Sequence, residues 1–125
     1  MNVVFYSNYT RNTERFVSKL GLDAVRIEDG IPDHSVLITP TYGKAAVPAP
    51  VVRALNTGPR HNIVAVIGTG NMNFGPDYCA AGYLLAQKLE VPLLNTVELA
   101  GTHNDVQTTL YLLERFMNDT IRNAA

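Results

Sequence analysis

The chain has 125 residues, 46% of them apolar and 17% charged, with a formal net charge of −1. That size and balance argue against disorder and suit one domain spanning residues 1–125 with a buried core. Near-neutrality without a basic block argues against a nucleic-acid face, and no apolar run approaches the length of a membrane span.

Val3-Val4-Phe5-Tyr6 is an apolar, uncharged run that reads as a strand buried on both faces, and with a strand opening this early no signal peptide is expected. The single Cys79 cannot form an internal disulfide, so the expected compartment is a reducing cytoplasm. Phe16, Val17 and Leu20 share one side of a first helix, with Asn12 or Thr13 as its N-cap and Gly21 as its stop. Ala24–Ile27 reads as a short strand, followed by a surface turn over Glu28–Asp33. Val36–Thr39 is another uncharged strand, and Pro48 and Pro50 bracket the start of a helix carrying Val51, Val52 and Leu55. Ile63–Ile67 is the strongest strand signal and empties into Gly68–Pro76, after which a helix is expected from about Asp77 to Glu90. Leu93–Leu99 is the fifth strand. In the last helix, Val106, Leu110, Leu113, Phe116, Met117 and Ile121 make an apolar stripe. Strands alternating with helices predict a doubly wound α/β sandwich whose parallel sheet has the order 2-1-3-4-5, with the ligand at the carboxyl ends of the strands.

Three unusual loops converge on that end. The first, Ser7-Asn8-Tyr9-Thr10-Arg11-Asn12-Thr13, holds four hydroxyls, two amides, a guanidinium and no carboxylate ahead of a helix N-terminus. Backbone amides and the helix dipole there suit an anion, although the same composition also serves a plain capped turn. It is neither a Walker A loop nor a dinucleotide fingerprint, so a monophosphate fits better. The second loop, Pro40-Thr41-Tyr42-Gly43-Lys44, sets a glycine between an aromatic and a lysine. The third contains Gly70, Asn71, Asn73, Phe74 and Gly75. A phosphate cradle flanked by glycine- and aromatic-bearing loops suits a ring system on a phosphate tail, and flavin mononucleotide (FMN) is the best match. Tyr42, Phe74 and Tyr78 are the stacking candidates, each of which also reads as ordinary packing. No metal cluster, triad or carboxylate pair is visible. His34, His61 and His103 sit in separate turns as solvated or capping residues, so no catalytic side chain is assigned.

Ser7-x-x-x-x-Asn12-Thr13-x-x-Phe16-Val17, Pro40-Thr41-Tyr42-Gly43, Gly70-Asn71-Met72-Asn73-Phe74-Gly75-x-x-Tyr78 and Glu98-Leu99-x-Gly101-Thr102 resemble the NrdI family nearly end to end. These are the flavodoxin-like proteins that serve class Ib ribonucleotide reductase. The resemblance implies a flavodoxin-like three-layer sandwich with FMN as cofactor. It implies an accessory flavoprotein, rather than a turnover enzyme, whose reduced flavin meets dioxygen. The oxidant formed, superoxide, would go to the reductase small subunit for assembly of a dimanganese–tyrosyl radical, with electrons from an unidentified donor. By position, Ser7 to Thr13 would bind the phosphate, Thr41 to Lys44 would lie beside the reactive edge, and Gly70 to Gly75 would clamp the other side. Loops two and three would then meet the partner, and replacing Lys44 with Glu is expected to weaken reductase binding.

The rival reading is a general electron-transfer flavodoxin. Such carriers surround the flavin with acids, whereas Ser7–Thr13, Pro40–Val47 and Gly68–Pro76 contain none. One absent carboxylate at about 6 Å is worth roughly 1–3 kcal/mol at intermediate dielectric, which makes the fully reduced flavin more accessible. A phosphoacceptor receiver lacks its carboxylate at Thr39–Gly43. A low-molecular-weight phosphatase lacks its arginine, since Leu85 stands six residues after Cys79. Cys79 itself reads as a packed thiol.

Overall fold

β1 (Asn2–Phe5) divides its side chains between two cores, as the period-two alternation of a strand requires. The computed structural model describes residues 1–42 and 45–124. Four more strands join β1: β2 (Ala24–Arg26), β3 (Ser35–Thr39), β4 (Ile63–Gly70) and β5 (Leu93–Glu98). All neighbours are parallel and the order is β2-β1-β3-β4-β5, so the expected topology holds. The helices are α1 (Asn12–Leu20), α2 (Ala49–Thr57), α3 (Ala80–Leu89) and α4 (His103–Ala124).

Val3, Phe5, Val36, Ile38, Ala65 and Ile67 face one way and pack with Phe16, Val17 and Leu20 of α1 and with Val106 and Leu113 of α4. Val4, Tyr6, Leu37 and Val66 face the other way, against Val51 and Leu55 of α2 and Leu85 and Ala86 of α3. Two helices therefore cover each face, which is the flavodoxin-like three-layer arrangement. The guanidinium of Arg26 lies over the Phe5 ring, 5.3 Å from its centre, and also bonds the Glu14 carboxylate of α1.

Several boundaries differ from expectation, among them β5, which ends at Glu98 and not at Leu99. β4 runs through Gly68-Thr69-Gly70 instead of ending at Ile67. Glycine here serves close packing rather than a loop, because a Cβ on Gly82 of α3 would come within 2.9 Å of the Gly68 Cα. α3 starts at Ala80, since residues 72–77 form a 3-10 turn kinked at Gly75 (φ 57°). Ile27 leaves its strand for another 3-10 turn. α1 begins after Arg11, not at an Asn12 or Thr13 cap. The apolar stripes are also shorter than expected. Val52 is exposed, as are Met117 (37%) and Ile121 (64%) near the end of α4. A helix of 22 residues spans about 33 Å, longer than any strand beneath it. Among the described residues, no helix is long and apolar enough to cross a membrane.

Candidate functional site

The carboxyl ends of β1, β3 and β4 open into a cleft of about 360 Å³. Asn8, Tyr9, Thr10, Asn12 and Thr13 line it from the first loop, and Pro40, Thr41 and Tyr42 from the second. Gly70, Asn71 and Phe74 line it from the third. Thr69 and Leu99 also line it, and neither was anticipated. Ser7, Arg11, Asn73, Gly75 and Tyr78 lie outside the lining, and Gly43 and Lys44 fall outside the described residues.

The first loop is built as a cradle. Asn8 Oδ1 accepts from the Thr10 amide (3.1 Å) and the Thr10 hydroxyl (2.5 Å), closing a tight turn. Arg11 then takes a left-handed conformation (φ 61°, ψ 16°) and the chain enters α1. Ser7, outside the lining, caps this helix from a distance: its Oγ accepts the Glu14 amide at 3.1 Å. The Thr13 hydroxyl is buried against that of Thr69, 2.8 Å away, which pins the start of α1 to β4. Thr10 Oγ accepts the Asn12 amide (3.4 Å), so the first turn of α1 meets the cleft with the Thr13 amide and its positive dipole end, which favour an anion. Arg11 does not face that spot. Its Nε donates to Glu14 at 2.6 Å, and this partnership holds the Glu14 carboxyl below the usual carboxylate range.

Loop two is fixed by tyrosines. Tyr42 and Ala46 exchange both backbone hydrogen bonds (2.7 and 2.8 Å). The Tyr42 hydroxyl meets that of buried Tyr6 at 2.9 Å, with the rings edge to face. Burial, helped by this bond, pushes the Tyr6 phenol up to about 12, so it stays protonated at neutral pH. Thr41 turns its Oγ to the Ala81 amide (3.0 Å) and so caps α3.

In loop three, Asn71 Oδ1 accepts the Asn73 amide (2.9 Å) and Phe74 stands 58% exposed at the rim. Tyr78 sits instead beside Cys79 and Thr96, and burial raises its phenol to about 12. Cys79 is fully buried and its thiol is pushed up to about 11 by burial, which fits a packed rather than a reactive thiol. His34, His61 and His103 are all exposed. Tyr9 is 91% exposed on the cradle, an aromatic at the cleft in addition to Tyr42 and Phe74.

A fourth segment completes the cleft. Leu99, at φ 54°, donates its amide to the Gly70 carbonyl (2.8 Å), and the carboxylate of Glu98 accepts the Met72 amide (3.0 Å). Among the described residues no carboxylate lines the cleft, yet Glu98 brings one to its edge. The signal for it was present in the Glu98-Leu99-x-Gly101-Thr102 block.

A doubly wound 2-1-3-4-5 sheet with an anion cradle after β1 defines a protein of the flavodoxin-like class. Solved structures agree on the fold. Oxidised flavodoxin 1 from Bacillus cereus superposes with a TM-score of 0.69 at 20% identity, covering 93% of this chain and 95% of that one. A Fusobacterium nucleatum flavodoxin bound to FMN gives 0.65 at 15% identity over 94% and 96%. The family model described as "NrdI Flavodoxin like" matches residues 3–110. Protein NrdI of Rhizobium leguminosarum bv. trifolii is 45% identical over 125 residues, covering 91% of this chain and 93% of its own. The chain belongs to the NrdI family.

Proposed function

We propose that the cleft binds FMN and that the protein activates class Ib ribonucleotide reductase. The observation that carries the reading is the cradle: in an NrdI-family chain, Asn8, Thr10, Asn12 and Thr13 gather amides and hydroxyls at the N-terminus of α1, with no carboxylate in the lining among the described residues. Asn8, Thr10, Asn12 and Thr13 would hold the phosphate, while Ser7 and the Thr13–Thr69 pair keep the helix end in place. Tyr42, Phe74 and Tyr9 offer aromatic surface for the ring, and Tyr6 fixes the hydroxyl of Tyr42. When bound, FMN supplies electron transfer, including reduction of dioxygen to superoxide for the dimanganese–tyrosyl radical of the small subunit. The residues bind and orient; none is assigned a proton-transfer role.

The carrier reading keeps one supporting observation, the Glu98 carboxylate bonded to loop three. An acid beside the ring disfavours the fully reduced flavin anion, as in electron-carrying flavodoxins. Stepwise anaerobic reduction followed by visible absorption separates the two. Smooth passage to full reduction and rapid reoxidation in air, with a tyrosyl radical appearing in manganese-loaded small subunit, supports activation. Reduction that halts after one electron, with no radical formed, supports the carrier.

A further inference from the structure

Loop three cannot satisfy its own first donor. Met72 opens the 3-10 turn Met72–Asp77, and its amide is one of the orphan groups that every helix start leaves. The partner comes from another loop, the Glu98 carboxylate at 3.0 Å. A hydrogen bond to a charged acceptor is stronger than a neutral one. The corner that carries Glu98 is itself held from several sides. Leu99 donates to the Gly70 carbonyl, and Gly101 donates to the Glu98 carbonyl at 2.9 Å. Lys19 Nζ of α1 donates to the carbonyls of Ala100 (3.1 Å) and Gly101 (3.0 Å). Gly101 permits the close approach, since at φ 74° a Cβ there would sit 2.8 Å from the Phe16 ring. Leu99, next in sequence to Glu98, and Asn71, next to Met72, both line the cleft.

We infer that Glu98 is a positioning residue for the cleft: its carboxylate clamps the loop carrying Asn71 and Phe74 to the corner carrying Leu99, and its charge at the rim opposes reduction of the ligand held there. The second half rests on the FMN reading, while the clamp stands on the protein alone. Glu98 does not line the cleft, so it acts through Met72 and Leu99.

Two variants separate the roles. Glu98→Gln keeps a carbonyl oxygen for the Met72 amide but removes the charge, and Glu98→Ala removes both. In the FMN-free protein, amide exchange at Met72 is expected to quicken at least about tenfold in Glu98→Ala and to stay within a few-fold of the parent in Glu98→Gln. Unchanged exchange in Glu98→Ala overturns the clamp. With FMN added, Glu98→Ala is expected to bind about tenfold more weakly and Glu98→Gln almost normally. Equal weakening in both contradicts a hydrogen-bonded clamp. The flavin potential is expected to move positive in both variants, and an unchanged potential in Glu98→Gln overturns the charge role. If the parent binds no FMN, the cofactor reading fails, while the exchange comparison still decides the clamp.

Discussion

The N-termini of α1 and α3 are built alike and used differently. Each helix follows a non-glycine residue in the left-handed region, Arg11 at φ 61° and Cys79 at φ 56°. In each, a hydroxyl from outside the helix accepts an amide of the first turn: Ser7 of the preceding loop for Glu14, and Thr41 of loop two for Ala81. Yet α1 opens its first turn to the cleft, whereas the start of α3 is closed off by Gly70 and the buried Cys79. One capping device therefore serves an anion cradle in one place and strand–helix packing in the other. What decides is the neighbour. The loop before α1 folds back on Asn8 and leaves space, while β4 runs on under α3 and fills it.

The largest effect should come from filling the closed end. A Cβ on Gly70 would lie 2.9 Å from the Cys79 backbone nitrogen and 3.1 Å from its Sγ, so Gly70→Ala must push the start of α3 outward. A stability loss of about 1–3 kcal/mol is expected in urea denaturation, as for other overpacked sites. A midpoint equal to the parent's would show that the two ends are not so different. Next is the seam between them. Thr13→Val strands the buried Thr69 hydroxyl and should cost about 1–3 kcal/mol, whereas a neutral result would mean that β4 does not anchor the cradle. Ser7→Ala should cost about 1 kcal/mol and also weaken FMN binding, because its cap supports the open end. Loss of stability with intact FMN affinity would separate cap from cradle.

The smallest effect concerns charge. Glu14 has its folded pKa lowered, chiefly by Arg11, so the stability it adds is present above its unfolded pKa and is lost as pH falls through the lower folded value. The urea midpoint of Glu14→Gln should lie below the parent's at neutral pH, and the gap should close on acidification below about pH 4. A gap independent of pH would remove the charge from the account.

Local pattern carried much of this organisation. The uncharged runs at Val3, Val36 and Ile63 became three adjacent strands, and the loops after them met at one cleft because parallel strands end on one side. The misreadings arose where a residue's partner is set by the folded chain and not by residue type. Arg11 gives no local sign of a cap because the capping oxygen belongs to Ser7, and its guanidinium is taken by Glu14 just past the loop. Gly68 and Gly70 look like loop residues until α3 is packed against them. Tyr78 resembles Phe74 in sequence, but the kink at Gly75 turns the chain so that only Phe74 reaches the cleft. Leu99 carries no composition signal for its positive φ, and the acid beside it lies outside the three loops read as acid-free.

Equilibrium titration of the FMN-free protein with FMN and, in parallel, with riboflavin tests the cradle most directly. The two ligands share a ring and differ in the phosphate. The account predicts stoichiometric FMN binding with riboflavin weaker by at least about tenfold, since charge-assisted hydrogen bonds at the start of α1 are lost. Equal affinity for the two, or no binding of either, would contradict it.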